Sequence, residues 1–153
     1  DKIVQRNNYI YTSPLAIGFF EEKYLGLGYE RFIQNKFSLS VEALRMTRYE
    51  MNANTIMKSF SALAQFYPIR SKHHEIGLGV GYSYIDDYYH YKGGVGGGSK
   101  PTQTFDHYFV VPVNYKFIMW DRVFAKLSLN ANVFDFNHQP LTLNMFFSVG
   151  VKF

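Results

Sequence analysis

The chain has 153 residues, 19% of them aromatic (13 Tyr, 15 Phe, one Trp), with a net charge of +4 and no cysteine. That length suits a single domain with a real core. The missing cysteines exclude disulfides, thiolate chemistry and Cys-based metal sites, the scattered Lys and Arg give no nucleic-acid footprint, and no apolar run approaches the roughly 18 residues of a spanning helix.

Helical periodicity is scarce and period-two alternation nearly continuous, so the elements read as strands. A first strand, about Tyr9 to Phe19, sets Tyr9, Tyr11, Leu15 and Ile17 against Thr12, Pro14, Ala16 and Gly18. After a tight link at Glu21–Lys23, Leu25, Leu27 and Tyr29 alternate with Gly26, Gly28 and Glu30. A short link at Ile33–Lys36 leads to Phe37, Leu39, Val41 and Ala43, alternating with Ser38, Ser40 and Glu42. A longer connection, Arg48–Thr55, precedes Phe60, Ala62, Ala64 and Phe66, set against Ser59, Ser61 and Gln65.

The second half repeats the scheme. Beyond a short link at Ile69–His74, Ile76, Leu78, Val80, Tyr82 and Tyr84 alternate with Glu75, three glycines and Ser83. The long connection Asp86–Thr104 contains the run Gly93–Gly98. That run lacks the Lys-Ser/Thr ending of a phosphate loop and reads as a flexible loop. Then Phe109, Val111, Val113, Tyr115 and Phe117 oppose Pro112, Asn114 and Lys116. A short link at Met119–Arg122 leads to Val123, Ala125, Leu127, Leu129, Ala131 and Val133, facing away from Lys126, Ser128, Asn130 and Asn132. After Asp135–Pro140, Leu141, Leu143, Met145, Phe147, Val149, Val151 and Phe153 share the last apolar face.

Eight strands with alternating short and long connections describe an all-β fold, an eight-stranded antiparallel up-and-down transmembrane β-barrel. The expected organisation is one barrel domain over 1–153, with 1–8 as a short periplasmic tail. The chain starts at Asp1 without a charged-then-apolar leader, so an export signal is expected to have been removed before it. Counting back from Phe153 places the short links Ile33–Lys36, Ile69–His74 and Met119–Arg122 on the periplasmic side.

A soluble ligand-binding barrel would show the same alternation with its faces inverted. The polar face favours the membrane reading. A solvated face carries many long charged side chains, whereas this one is mostly Gly, Ser, Asn and Thr, small enough for a narrow lumen. Its charges, Glu30, Glu42 and Glu75 against Lys116, Lys126 and Lys152, balance. They are expected to form a paired network that plugs the lumen. Tyr9, Tyr11, Phe37, Phe66, Tyr67, Tyr115, Phe117, Trp120 and Phe153 fall near periplasmic strand ends, and Tyr82 and Tyr84 near the other rim, as interfacial aromatics do.

The terminal stretch Leu143–Phe153, with Phe147, Val149, Val151 and Phe153 at alternate positions, resembles the carboxy-terminal assembly signal of outer-membrane proteins. Together with Gly28–Phe32, Phe37–Ser40 and His74–Tyr82, it resembles small eight-stranded outer-membrane barrels of Bacteroidetes-type bacteria, of OmpA- and OmpX-like architecture. The resemblance implies residence in the cell outer membrane, contact with its lipid and with the barrel-assembly machinery during biogenesis, and contact with other envelope proteins.

For function, the expectation is a non-enzymatic structural or adhesive protein, or an accessory subunit of a larger envelope complex, with no cofactor, metal or nucleic acid. The alternatives are a lipid A-modifying enzyme and a soluble lipocalin-like carrier. Among five histidines, His73 and His74 lie in an expected periplasmic turn, and His107 faces lipid without a serine nucleophile beside it. Asp86, Asp87 and His90 are a weak cation set. Tyr84, Tyr88, Tyr89 and Tyr91 read either as an extracellular binding rim or as an interfacial belt.

Overall fold

The computed structural model describes residues 8–15, 22–50, 53–91, 101–135 and 142–153. Its strands are β1 (Asn8–Leu15), β2 (Glu22–Gln34), β3 (Phe37–Glu50), β4 (Ala53–Arg70), β5 (His74–Tyr91), β6 (Thr102–Met119), β7 (Val123–Asp135) and β8 (Thr142–Lys152). Every consecutive pair is antiparallel, and β1 pairs with β8, so the sheet closes without an edge. Phe153 exchanges backbone hydrogen bonds with Asn8, 3.1 and 2.9 Å, at the seam. Asn8 thus belongs to β1, although the tail was expected to include it.

The side chains follow the alternation, with the apolar set outward. Leu27 is 61% exposed, Val80 64% and Met145 66%. Their inward neighbours Glu30, Glu75, Lys116 and Lys126 are at most 1% exposed.

The short turns are shorter than the sequence suggests, Asn35–Lys36, Ser71–His73 and Trp120–Arg122. Trp120 and Asp121 both have positive φ, 47° and 59°, which a tight hairpin turn requires of its central residues. All three turns lie at the end that carries Asn8 and Phe153, the periplasmic end of an even-stranded barrel.

The opposite end departs most from expectation. Arg48–Glu50 and Ala53–Thr55 continue β3 and β4, and Asp86–Tyr91 and Thr102–Thr104 continue β5 and β6. Glu22 and Lys23 likewise belong to β2, and Asp135 ends β7. These segments lost their alternation because nothing apolar need cover them beyond the bilayer, while backbone pairing carries on regardless. The Gly93–Gly98 run lies outside the described residues, as do 16–21 and 136–141.

Three residues expected among the strand-end aromatics face the other way. Tyr9, Tyr11 and Tyr67 point into the barrel and are 0%, 4% and 0% exposed, while Ile10 takes the outward position. Two features make room for them. Gly28 lies against the Tyr11 ring, and a Cβ at Gly77 would stand 2.6 Å from Tyr67, so each ring covers a glycine on the next strand. On β4 the register shifts between Phe66 and Ile69, around Pro68, which has no N–H to lose from the ladder. The shift changes which face the following residues take and turns Arg70 inward.

Candidate functional site

The lumen holds three layers. The lowest lies at the periplasmic end and is centred on Lys116. Its Nζ donates to Glu30 Oε2 at 2.6 Å and stands 3.5 Å from Glu75 Oε2, an ion-pair contact too long for a good hydrogen bond. Glu30 also accepts from Ser38, 2.6 Å. Glu75 Oε1 accepts from Tyr9 at 2.7 Å and from Arg70 Nε at 3.0 Å, with Lys152 at 3.8 Å. Rings enclose the ammonium: its Nζ is 4.3 Å from the Tyr9 centroid and 4.4 Å from that of Tyr67, and the Arg70 guanidinium covers Phe32 at 3.7 Å. Phe124 packs edge-on against Tyr9 at 5.3 Å. A cation so desolvated survives only with paired anions and π-faces around it.

The middle layer is smaller. Lys126 donates to Glu42 at 2.8 Å and to the Tyr11 hydroxyl at 3.0 Å, and Tyr11 donates to the same Glu42 oxygen. Beside it, Gln65 links Ser40, Tyr67 and Asn114 into one buried amide and hydroxyl cluster.

The third layer, toward the outer end, is a cavity lined by Ser61, Ser83, Ser128, Asn130 and Ser148, with Phe146 opposite Ser128 and several aliphatic side chains completing the wall. Hydroxyl pairs stiffen its wall, Ser13 with Ser148 at 2.7 Å and Ser61 with Ser83 at 2.9 Å.

The six charges singled out in the sequence thus divide into two groups. Glu30, Glu75, Lys116 and Lys152 share the lower layer, and Glu42 and Lys126 the middle one. Sequence reasoning missed Arg70, Phe32, Phe124 and Ile118, all turned into the barrel. Phe32 and Phe124 sit on the polar face of their strands, and that mismatch was the available signal.

On the outer surface, Tyr84 stacks with Phe105, centroids 6.0 Å apart, and the Tyr82 hydroxyl meets His107 Nδ1. His107 is therefore held in an aromatic patch on the lipid face. Asp86 faces outward, accepting from Gln103 at 2.8 Å, and marks the end of that belt. Tyr88 and Tyr89 lie past it, 37% and 41% exposed, on opposite faces of β5. The Tyr91 side chain lies outside the described residues. Also past the belt is Asp87, on the lumen side. Partial burial, with Asp106 and then Asp86 nearby, holds its carboxyl above the ordinary range. Among the described residues no group of three or more His, Asp or Glu side chains is placed to hold a metal ion.

Phe147, Val149, Val151 and Phe153 run along the lipid side of β8, with Val151 48% and Phe153 51% exposed. At the turns, His73 Nδ1 contacts the Ile118 carbonyl at 3.2 Å, and His74 Nδ1 the Tyr115 hydroxyl at 2.8 Å.

A closed barrel of eight strands, apolar outside and charge-paired within, is a transmembrane β-barrel of the bacterial outer membrane. Solved structures of that kind share its fold. The N-terminal β-barrel domain of Pseudomonas aeruginosa OprF superposes with a TM-score of 0.63 at 13% identity, over 97% of this chain and 98% of that one. Ail, the attachment invasion locus protein of Yersinia pestis, gives 0.60 at 8% identity, over 95% and 93%. The same protein in a phospholipid bilayer nanodisc gives 0.58 at 11%, over 97% and 100%. At these identities the likeness establishes the fold alone, and neither source organism is of the Bacteroidetes type. No protein-family model and no curated protein matches the sequence.

Proposed function

We propose that the protein is a non-enzymatic outer-membrane barrel whose lumen is plugged and whose outer end is an adhesive surface, alone or as an accessory subunit of an envelope complex. The observation that carries the plug is the Lys116 layer, in which Lys116, Glu30 and Glu75 are all 0% exposed. Ions crossing it would have to separate desolvated charges from their partners, and that is costly. Reconstituted in a planar bilayer, the barrel is expected to give no sustained conductance. A continuous open level would end this reading.

The adhesive part rests on the strands that outrun the lipid. At about 3.3 Å per residue and a tilt of about 40°, the 18-residue β4, β5 and β6 rise roughly 45 Å against an apolar belt of about 25 Å. The projecting wall carries Tyr88 and Tyr89, rings that bring contact area at low entropic cost. One barrel of like fold is named for attachment and has been crystallised with a heparin analogue, sucrose octasulfate. Cells displaying this protein should bind a surface or matrix that cells displaying Tyr88→Ser bind less well. Equal binding by parent, variant and cells without the protein would remove the adhesive role.

The partners in this reading are outer-membrane lipid, the assembly machinery that meets β8, and other envelope proteins. The Bacteroidetes-type likeness of Gly28–Phe32 and His74–Tyr82 belongs to the same proposal.

A further inference from the structure

Two cations stand side by side on the outer wall of the barrel. Arg45 on β3 and Lys58 on β4 both point away from the lumen, both are exposed, and the register sets them directly opposite each other. Residues so placed hold their Cβ atoms about 4.5–5.5 Å apart, and like charges at that spacing repel. Among the described residues neither forms an ion pair. Asp86 on β5 lies across from Lys58 on its other side, but its Oδ1 takes the Gln103 amide at 2.8 Å.

Their height is set by the row beneath. One step toward the periplasm, Leu27, Ala43, Phe60, Tyr84 and His107 face outward in turn across β2 to β6. Leu27 is 61% exposed and Phe60 53%, so this row belongs to the apolar belt. Two residues along a strand tilted by about 40° rise about 5 Å. Arg45 and Lys58 thus clear the hydrocarbon by one row and stand level with the headgroups of the outer leaflet.

The surface below them suits acyl chains. Ala43 lies under Arg45, and Ala62 and Ala64 follow diagonally on β4, all three exposed. Leu27 borders this low strip on one side, and Tyr82 and Val80 border it on the other. An anion carried on acyl chains would therefore hold its head at the cations and its tails on the alanines.

We infer that Arg45 and Lys58 form a docking site for a lipid of the outer leaflet whose headgroup carries a phosphate monoester. Such a group bears about 1.5–2 negative charges at neutral pH and three free oxygens. The Arg45 fork takes two of those oxygens and the Lys58 ammonium the third. A carboxylate, with one charge and two oxygens, satisfies the arginine and leaves the lysine repelled. Asp86 confines the anion to the Arg45 side of Lys58. The inference names a site for the lipid partnership proposed above and rests on it; the plug and the adhesive surface do not enter.

The chain's own arginines can report docking. Arg45 is in the site. Arg31 is exposed on the lipid side near the opposite rim, where it pairs with Asn8, and registers any general gathering of anionic lipid. Arg70, turned into the lumen against Glu75, registers none. Barrel labelled with ¹⁵N at arginine side chains is placed in phosphatidylcholine nanodiscs with rising shares of phosphatidic acid, a phosphate monoester, or of phosphatidylserine. The Arg45 Nε signal should shift saturably with phosphatidic acid, at a midpoint about fivefold below that for phosphatidylserine, because one further cation at an anionic surface is worth about that factor. Lys58→Gln should erase the difference between the two lipids, Lys58→Arg should keep it, and Asp86→Asn should lower the phosphatidic acid midpoint. An Arg45 signal that stays still, that follows Arg31, or that answers both lipids equally would overturn the inference and leave the barrel embedded in lipid. A preference that survives Lys58→Gln would overturn it too. A barrel that does not enter the discs would remove the lipid partnership and the site with it.

Discussion

Lys116 is the side chain on which the lower lumen depends. Its ammonium is fully buried, bonded to Glu30, ion-paired with Glu75 and faced by the rings of Tyr9 and Tyr67. Removing it takes the ion-pair partner from Glu30 and one of the cations from Glu75. Breaking a buried pair by deleting one partner costs about 3–5 kcal/mol, whereas replacing both partners by uncharged groups of like volume costs much less. Lys116→Met should therefore lower the urea midpoint of the detergent-folded barrel, and Lys116→Met with Glu30→Gln should recover a good part of the loss. Recovery is incomplete because Glu75 still lacks its Lys116 contact and is left with the Tyr9 hydroxyl, Arg70 and the more distant Lys152. A Lys116→Met barrel as stable as the parent would mean that the layer is hydrated and not a desolvated cluster.

At the level of single strands, β8 both closes the barrel and carries the terminal aromatic. Phe153 ties the seam through its backbone, while its side chain is 51% exposed toward lipid. Phe153→Ala keeps the backbone bonds and removes only the ring. Insertion in cells should fall, because an assembly machine meets this strand as an unpaired edge. Refolding into detergent should stay close to that of the parent. Normal insertion in cells with failed refolding would make the ring a packing residue and not a signal.

The strands also show what was legible in the sequence. Where alternation is strict, as over 125–132 of β7 and 111–117 of β6, the facing of each residue was readable, and with it the inward Lys126 and Lys116. It failed where a ladder irregularity or an aromatic interior intervened. The shift around Pro68 turned Arg70 inward against simple parity. Tyr9, Tyr11 and Tyr67 were read as interfacial because aromatic rings serve both environments, and only the glycines opposite Tyr11 and Tyr67 betray their direction. The strand extensions beyond the belt were missed because hydropathy sees the lipid boundary and not the end of hydrogen bonding.

The whole molecule is a membrane protein because of the direction of its faces, and the soluble alternative differs only in that direction. A carrier in water would hold Leu127 and Leu129 inside and Ser128 and Asn130 outside. Here Leu127 is 40% and Leu129 46% exposed, against 4% for Ser128 and 9% for Asn130. The absence of native cysteine allows this to be tested one position at a time. Single cysteines introduced from 125 to 131 along β7, spin-labelled in a phospholipid bilayer, report collisions with oxygen, which concentrates in lipid, and with a water-soluble nickel chelate. Labels at 125, 127, 129 and 131 should respond to oxygen and hardly to nickel, and those at 126, 128 and 130 should respond weakly to both. Strong nickel access at 127 and 129, with the alternation otherwise intact, would place the apolar face away from lipid and contradict the account.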